Sequence, residues 1–370
     1  MLEGYGSEVT KVIRSAVDAN AAGDIPAQHM GESILNHLRT GATVAGIGVN
    51  LWTSFLQPLG LFQSINRIGL KYVARGMTHW AGNAAKLESS VKKVFETSEF
   101  MRLRGKTQQR EINEIRNKVA SGRKMSQLES VYFYFIMKAQ QMADIPTWLG
   151  AYEKAVDEGN DPGRSVALAD QAVIDSQGGG AIKDMAAVQR GSPAWKLFTN
   201  FYSYFSVTWN RTAESTAKVK KPADVGAFMV DMLNIYWLPA TFSALMREAL
   251  KGDCDGDEEC ILEGVIRENL SYMSGVLVGV REISGTLQGY HGYSGPAGAR
   301  FFSESGKLIQ QLEQGEADAA LWKALNNTAG IVLHYPSGQV QRMAQGFWAV
   351  SDGDVEGVAS IPAVLFGPPR

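Results

Sequence analysis

The amino-acid sequence predicts an all-α protein, an extended multi-helix assembly with several apolar, glycine-containing helices. Three observations carry that expectation. Apolar residues recur at steps of three and four, capping residues stand ahead of those runs, and alternating strand patterns are scarce.

Taken in chain order, Ser7 is placed to cap a first helix with Val9, Val12, Ile13, Ala16 and Val17 on one face, ending near Gly23. Asn83 precedes another with Leu87, Val91, Val94 and Phe95 along one side. Ser126 and Glu129 form a capping-box pattern ahead of Tyr132, Phe135, Ile136 and Ala139. Asp161-Pro162 sets a capping carboxylate before a proline at the first helical position, where a missing N–H costs nothing, and Ser192-Pro193 repeats the device. Connections are expected at Gly178-Gly179-Gly180, at Lys220-Lys221-Pro222, over the acidic run from Gly252 to Glu259, and over Gly285 to Gly298. The terminal Phe366-Gly367-Pro368-Pro369-Arg370 does not continue a helix.

With 370 residues, 45% of them hydrophobic, the chain has material for a sizeable core, divided here into an N-terminal helical region (1–125) and a C-terminal one (126–370). A net charge of −2 gives no global attraction to nucleic acid or anionic lipid. The opening Met1-Leu2-Glu3-Gly4-Tyr5 lacks the basic-then-apolar order of a secretory signal. Two cysteines, Cys254 and Cys260, are too few for a disulfide framework; they are near enough to pair in an oxidising compartment, and spacing leaves the matter open. The 39 glycines are scattered through apolar stretches. Each interior glycine weakens a helix by about 1 kcal/mol relative to alanine, which points to close helix contacts or nearby lipid.

Trp195, Phe198, Tyr202, Phe205 and Trp209 fall at alternating steps of three and four, a wide aromatic stripe down one helix. Such a stripe suits a core, a subunit interface or a membrane interface, where Trp and Tyr offer one apolar and one polar end. Thr40 to Asn66 contains no charged residue and carries Trp52 and Phe55; its length permits a span, while Asn50, Gln57, Pro58 and Gln63 oppose a permanent one. Val225 to Met246 is similar, interrupted by Asp231 and Pro239, and Asn269 to Val280 is shorter and richer in glycine. These seven aromatics, Trp52, Phe55, Trp195, Phe198, Tyr202, Phe205 and Trp209, are the candidate interface or membrane-facing residues.

From Lys86 to Lys124 eleven Lys and Arg face five Glu, a pattern expected of a solvated face with i,i+4 ion pairs and, alternatively, of phosphate contacts to DNA. Asp253, Asp255 and Asp257 alternate as in a calcium loop, but Glu258 replaces the required glycine and Gly264 the closing glutamate. The five histidines lack metal-ligand spacing, and no nucleophile elbow, Walker loop or dinucleotide fingerprint occurs, so no catalytic residue, cofactor or metal is expected. Gly31-Glu32-Ser33 followed by Gly41-Ala42 faintly resembles the catalytic stretch of soluble lytic transglycosylases, which would make Glu32 a general acid on a glycosidic bond. Ile34 stands where an aromatic is usual, and Ala45-Gly46-Ile47-Gly48 where Gly-Leu-Met-Gln is expected.

Five stretches occur in an order that carries a family resemblance. They are Asn36 to Thr43 running into Gln57-Pro58-Leu59-Gly60; Trp148 to Tyr152 followed by Ala169 to Val173; Lys183 to Gly191; Lys196 to Phe205; and Pro336-Ser337-Gly338-Gln339. From about Ile34 onward the chain resembles the C-terminal region of giant phage and conjugative-element polypeptides, the type with large polyvalent protein-associated domains. The resemblance implies a structural, non-enzymatic segment of a type often fused to upstream enzymatic modules, and supplies no catalytic residues. In short-tailed phages such proteins resemble internal virion or ejection proteins, packaged in the capsid and passed into the host envelope with the genome. The partners implied are further copies of the chain, other virion or ejection proteins and the portal, phage DNA and the host membrane.

Overall fold

The computed structural model describes residues 30–82, 87–107, 132–178, 202–252, 254, 256–274, 297–314 and 318–369, with isolated positions 10, 13 and 17. Among them every regular element is helical and none is a strand. The expected helix after Ser7 and the caps at Asn83, Ser126 and Ser192 lie outside the described residues.

Helix α1 (Met30–Ile47) ends where Val49 takes a left-handed φ of 51°. Its N–H donates to the carbonyl of Tyr132 at 2.6 Å. Asn50 then caps α2 (Leu51–Leu56), accepting from the Thr53 N–H at 2.9 Å. A 3-10 turn, Gln57–Leu59, built around Pro58, leads to α3 (Gly60–Ile68), and Gly69 at φ 89° separates it from α4 (Leu70–Ala81). The charge-free stretch Thr40 to Asn66 is therefore two helical runs, broken at Gly48 to Asn50 and carrying a tighter 3-10 turn at Pro58 inside the second. Asn50 makes the break because its side chain competes for backbone N–H groups. Thr40 to Ala45 is also buried against protein.

Helices α5 (Leu87–Thr97), α6 (Glu99–Thr107), α7 (Tyr134–Asp157) and α8 (Pro162–Gln177) complete the largest core with α3 and α4. Its centre is Ile68, Val73, Val94, Met101, Ile145, Trp148, Ala169 and Val173. Residues from both sides of position 125 share this core, with α7 packed along α4 and α8. The expected cap at α8 is present: the Asp161 carboxylate accepts from the N–H groups of Gly163 and Arg164 at 3.0 and 3.1 Å. Asp170 accepts from Ser98 Oγ at 2.6 Å and Trp148 Nε1 at 2.7 Å. Burial raises its pKa, and those two hydrogen bonds work against the rise.

Helix α9 (Tyr202–Lys218) leads to a 3-10 turn (Pro222–Asp224), α10 (Val225–Met232), a π turn (Leu233–Trp237) and α11 (Leu238–Lys251). The π turn has a chemical cause. Pro239 has no N–H for the carbonyl of Ile235, four residues back, and the buried Gln63 amide donates to that oxygen at 3.2 Å. Gln63→Leu should leave the carbonyl unpaired and lower stability by about 1–3 kcal/mol. Urea denaturation measures it, and a loss below a few tenths would contradict this role for Gln63. Beyond α11, α12 (Glu258–Ser274) returns alongside it.

Helices α13 (Ala297–Gln314), α14 (Ala319–Leu333) and α15 (Ser337–Ser351) enclose α1, with Leu38, Ala42, Ala45 and Ile331 as the shared apolar centre. Helix α16 (Ser360–Phe366) folds back on α15 and reaches α2 and α11. His334, the left-handed C-cap of α14 at φ 57°, stacks on His37 of α1 with ring centroids 4.3 Å apart. Each Nε2 lies 3.2 Å from a carbonyl oxygen across the crossing, His37 from that of Val332 and His334 from that of His37, so each must donate.

Burial, with a smaller contribution from His37, holds the pKa of His334 below its ordinary 6.5. Above that value neither the folded nor the unfolded state is protonated here. Below it the unfolded chain takes a proton that the folded chain refuses, so stability falls as pH drops. Denaturation midpoints at mildly acidic and mildly alkaline pH should differ less in His334→Asn, a residue that tolerates the left-handed backbone. An unchanged difference would remove His334 as its source.

Candidate interaction surface

Of the seven aromatics that the sequence singles out, the structure brings two together. Trp52 and Phe55 stack at 6.3 Å, and both lie 6.1 Å from the Phe366 ring, which contributes from 311 residues downstream in the case of Phe55. Trp52 is half-buried by this cluster, while Phe55 stays exposed. Trp209 projects from α9, 53% exposed, beside the buried Val207 and Thr208. Tyr202 and Phe205 lie on α9, but their side chains, and Trp195 and Phe198 entirely, fall outside the described residues.

A larger apolar surface lies elsewhere. From Pro222 to Lys251 the helical turns run on without interruption for 30 residues, the one helix among the described residues long and apolar enough to cross a membrane by length and composition. Only 17% of its most apolar 18 residues is buried. At 1.5 Å per residue it extends about 45 Å. Met229, Val230, Leu233 and Trp237 face outward on its first half, and Phe242 and Leu245 on its second.

The returning helix α12 shows the same outward character. Leu262, Ile266, Leu270 and Met273, at steps of four, four and three, make one narrow exposed stripe. The two helices meet through polar groups. Asn269 Nδ2 donates to Thr241 Oγ1 at 3.1 Å; Glu268 accepts from Ser243 Oγ at 3.3 Å and from Arg247 at 3.0 Å. Tyr236 and Tyr272 meet edge to face, and the Tyr236 hydroxyl pairs with Thr212 Oγ1 at 2.8 Å. The hairpin thus combines hydrogen bonds and the buried Ile235–Tyr236 cluster between its helices with an outer face on which apolar side chains are interleaved, on α12, with the exposed Glu263–Arg267 ion pair.

Its two ends differ in charge. At the tip, Gly252 in the left-handed region at φ 64° ends α11, and the Cys254 N–H donates to Glu248 at 3.0 Å. Cys254 and Cys260 meet as a disulfide that closes the turn. Asp253, Asp255, Asp257, Glu258 and Glu259 crowd this loop in the sequence, the last three at the positive N-terminus of α12. At the base stand exposed Lys218, Lys220 and Lys221. Burial alone would raise the Glu214 carboxyl nearby, but Arg211 and Lys218 outweigh it and hold it below its usual range.

Asp231 ties α10 to the main core, accepting from Asn66 at 2.7 Å and Ser215 at 2.7 Å, while Arg211 donates to Asn66 at 3.1 Å. Phe62 packs against Phe242 at 6.2 Å. The hairpin is therefore held to the rest of the chain along one side by these polar bonds, by the Gln63–Ile235 hydrogen bond and by apolar contacts at Phe62 and α16. Helices α13 to α16 expose further apolar side chains, Leu312, Leu325, Phe347 and Ile361 among them.

In the basic stretch, Lys92 pairs with Glu96 at 3.8 Å and Arg102 with Glu99 at 2.6 Å. Arg104 is withdrawn into the core on Asp144. These three are ion-paired within the protein, and residues 108–124 lie outside the described residues. Glu32 stands in the first turn of α1, half-buried. Two surface concavities are lined by Val91, Phe95, Arg102 and Lys138, and by Arg75, His79, Glu153 and Asp157; Glu32 lines neither. Comparison of the chain with known protein families, with curated proteins and with solved structures finds no match.

Proposed function

We propose that this chain is a structural component of a phage or mobile-element delivery apparatus, an ejection-type virion protein that assembles with copies of itself around the DNA path and engages the host envelope through its hairpin. The observation that carries the reading is the polarity of the Pro222–Ser274 hairpin, with polar contacts between its helices and Met229, Leu233, Trp237, Leu262, Ile266 and Leu270 facing outward. The ordered stretches from Asn36 to Gln339, which resemble giant phage polypeptides, add to it.

Magnitudes favour lipid as one destination of that surface. Carrying Asp231 into hydrocarbon costs about 3 kcal/mol at a helix centre. Removing a large exposed aliphatic or aromatic side chain from water returns about 1.5–3 kcal/mol when burial is complete. Six such residues on Pro222–Lys251 outweigh one carboxylate even if each is only half covered. The apolar side chains on α13 to α16 remain for contacts between copies.

Light scattering and liposome flotation of the purified chain test the proposal. A defined oligomer that floats with lipid, and loses flotation on Leu270→Lys, is expected. A compact monomer that ignores vesicles at every concentration would overturn it.

A further inference from the structure

The outward face of the Pro222–Lys251 helix is arranged symmetrically about its middle. Trp237, at the end of the π turn, is exposed. Met229 and Leu245, both exposed, stand eight residues to either side of it, and Val230 and Ala244 seven residues to either side. At helical spacing these positions share a side that meets neither the main core, reached through Asp231 and Ile235, nor α12, reached through Tyr236, Ser243 and Arg247. The symmetry continues in the charges. Lys221 lies sixteen residues before Trp237 and Asp253 sixteen after, with Lys220 before the one and Asp255, Asp257, Glu258 and Glu259 beyond the other. Lys218 is already paired with Glu214 at 3.2 Å, whereas Lys220 and Lys221 are exposed and make no ion pair among the described residues. Asp257, Glu258 and Glu259 are exposed as well.

A two-fold axis brings residues equally spaced about one point of a helix against each other's copies. From this arrangement we infer that the Pro222–Lys251 helix binds a second copy of this chain in antiparallel orientation. Trp237 stands beside the axis, Met229 meets Leu245 of the partner subunit, and the Lys220–Lys221 end of each copy meets the acidic turn of the other. This pairing rests on the reading that copies of the chain assemble, and it covers in water the same face that this reading turns to the envelope. A parallel pair would instead set acidic turn on acidic turn and lysine on lysine. The exposed Glu263–Arg267 pair of α12 stays in water, and the bonds to Gln63, Asn66, Thr212 and Ser215 stay intact, since they leave from the other side of the helix. A strip about 45 Å long and about 10 Å wide covers roughly 450 Å² per copy, less than the about 800 Å² per partner of a standard interface. Weak, concentration-dependent pairing that salt loosens is therefore expected.

Sedimentation velocity of the full chain, over a range of concentrations at low and moderate salt, reads the dimer. Trp237→Lys sets two like charges at the axis and should abolish it with helical circular dichroism unchanged. Should that variant lose helix, the surface charges decide. Lys220→Glu with Lys221→Glu should weaken dimerisation about tenfold, and adding Asp253→Lys with Asp255→Lys should restore it. Self-association indifferent to all of these changes would overturn the pairing while leaving assembly of copies, through another face, intact. A dimer lost in Trp237→Lys but untouched by the charge reversals would overturn the antiparallel orientation. A chain monomeric at every concentration would overturn both the pairing and the reading it rests on.

Discussion

Arg104→Ala should destabilise the folded chain by about 3–5 kcal/mol, the range for removing one partner of a buried ion pair. The Arg104 and Asp144 side chains are only 4% and 2% exposed, and they bond twice, at 2.7 and 3.1 Å. The same guanidinium donates to the carbonyls of Gly178 and Gln177, which the last turn of α8 leaves without partners. Asp144 also accepts from Gln140 at 3.1 Å, and Gln140 leads through Gln177 to Gly60 and Ser64 on α3. One arginine therefore joins α6, α7, α8 and, through the amides, α3. Alanine at 104 strands the Asp144 carboxyl in the core together with two carbonyls. Arg104→Met combined with Asp144→Leu should lose less than the sum of the single changes, because no charge is left unpaired. Urea unfolding followed by helical circular dichroism gives the coupling. A single-mutant loss below about 1 kcal/mol would show that water reaches this pair.

How much of the fold is readable from the chain alone depends on range. The Asp161-Pro162 start of α8 and the break before Pro222 are signals held within a few residues, and both appear where the sequence places them. Long-range partners are different. Nothing near Trp52 announces Phe366, and nothing near Pro239 announces that Gln63 supplies its missing donor. Thr40 to Asn66 resembles a span because an apolar residue facing protein and one facing lipid are the same residue; only the break at Val49-Asn50 separates the cases. The stripe on α12 is interleaved with Glu263, Arg267 and Glu268, and charges at that density read as ordinary surface. Its four-four-three spacing becomes legible once the helix is known to start at Glu258, which fixes the outward face.

Glycine supplies a prediction in which the same substitution takes opposite signs at two sites. Gly41 lies where α1 crosses α14, and a Cβ there would sit 1.7 Å from the Ile331 carbonyl oxygen and 2.9 Å from the His334 ring. The obstruction is backbone, so rotating a side chain does not relieve it. Gly41→Ala gains about 1 kcal/mol of helix propensity but must push apart the helices packed around Leu38, Ala42 and Ile331. Overpacking of this kind costs about 1–3 kcal/mol and sometimes more. With a carbonyl at that separation the cost wins, and a net loss of about 2 kcal/mol is expected. Gly264 on α12 meets nothing within 4 Å. Gly264→Ala there should stabilise by about 0.5–1 kcal/mol, since only the unfolded chain loses freedom. Thermal melts of the two variants should therefore move in opposite directions. Equal upward shifts would mean that α1 and α14 do not approach at Gly41. The His37–His334 stack and the core on Ile331 would then lose their geometric basis, since both depend on that approach.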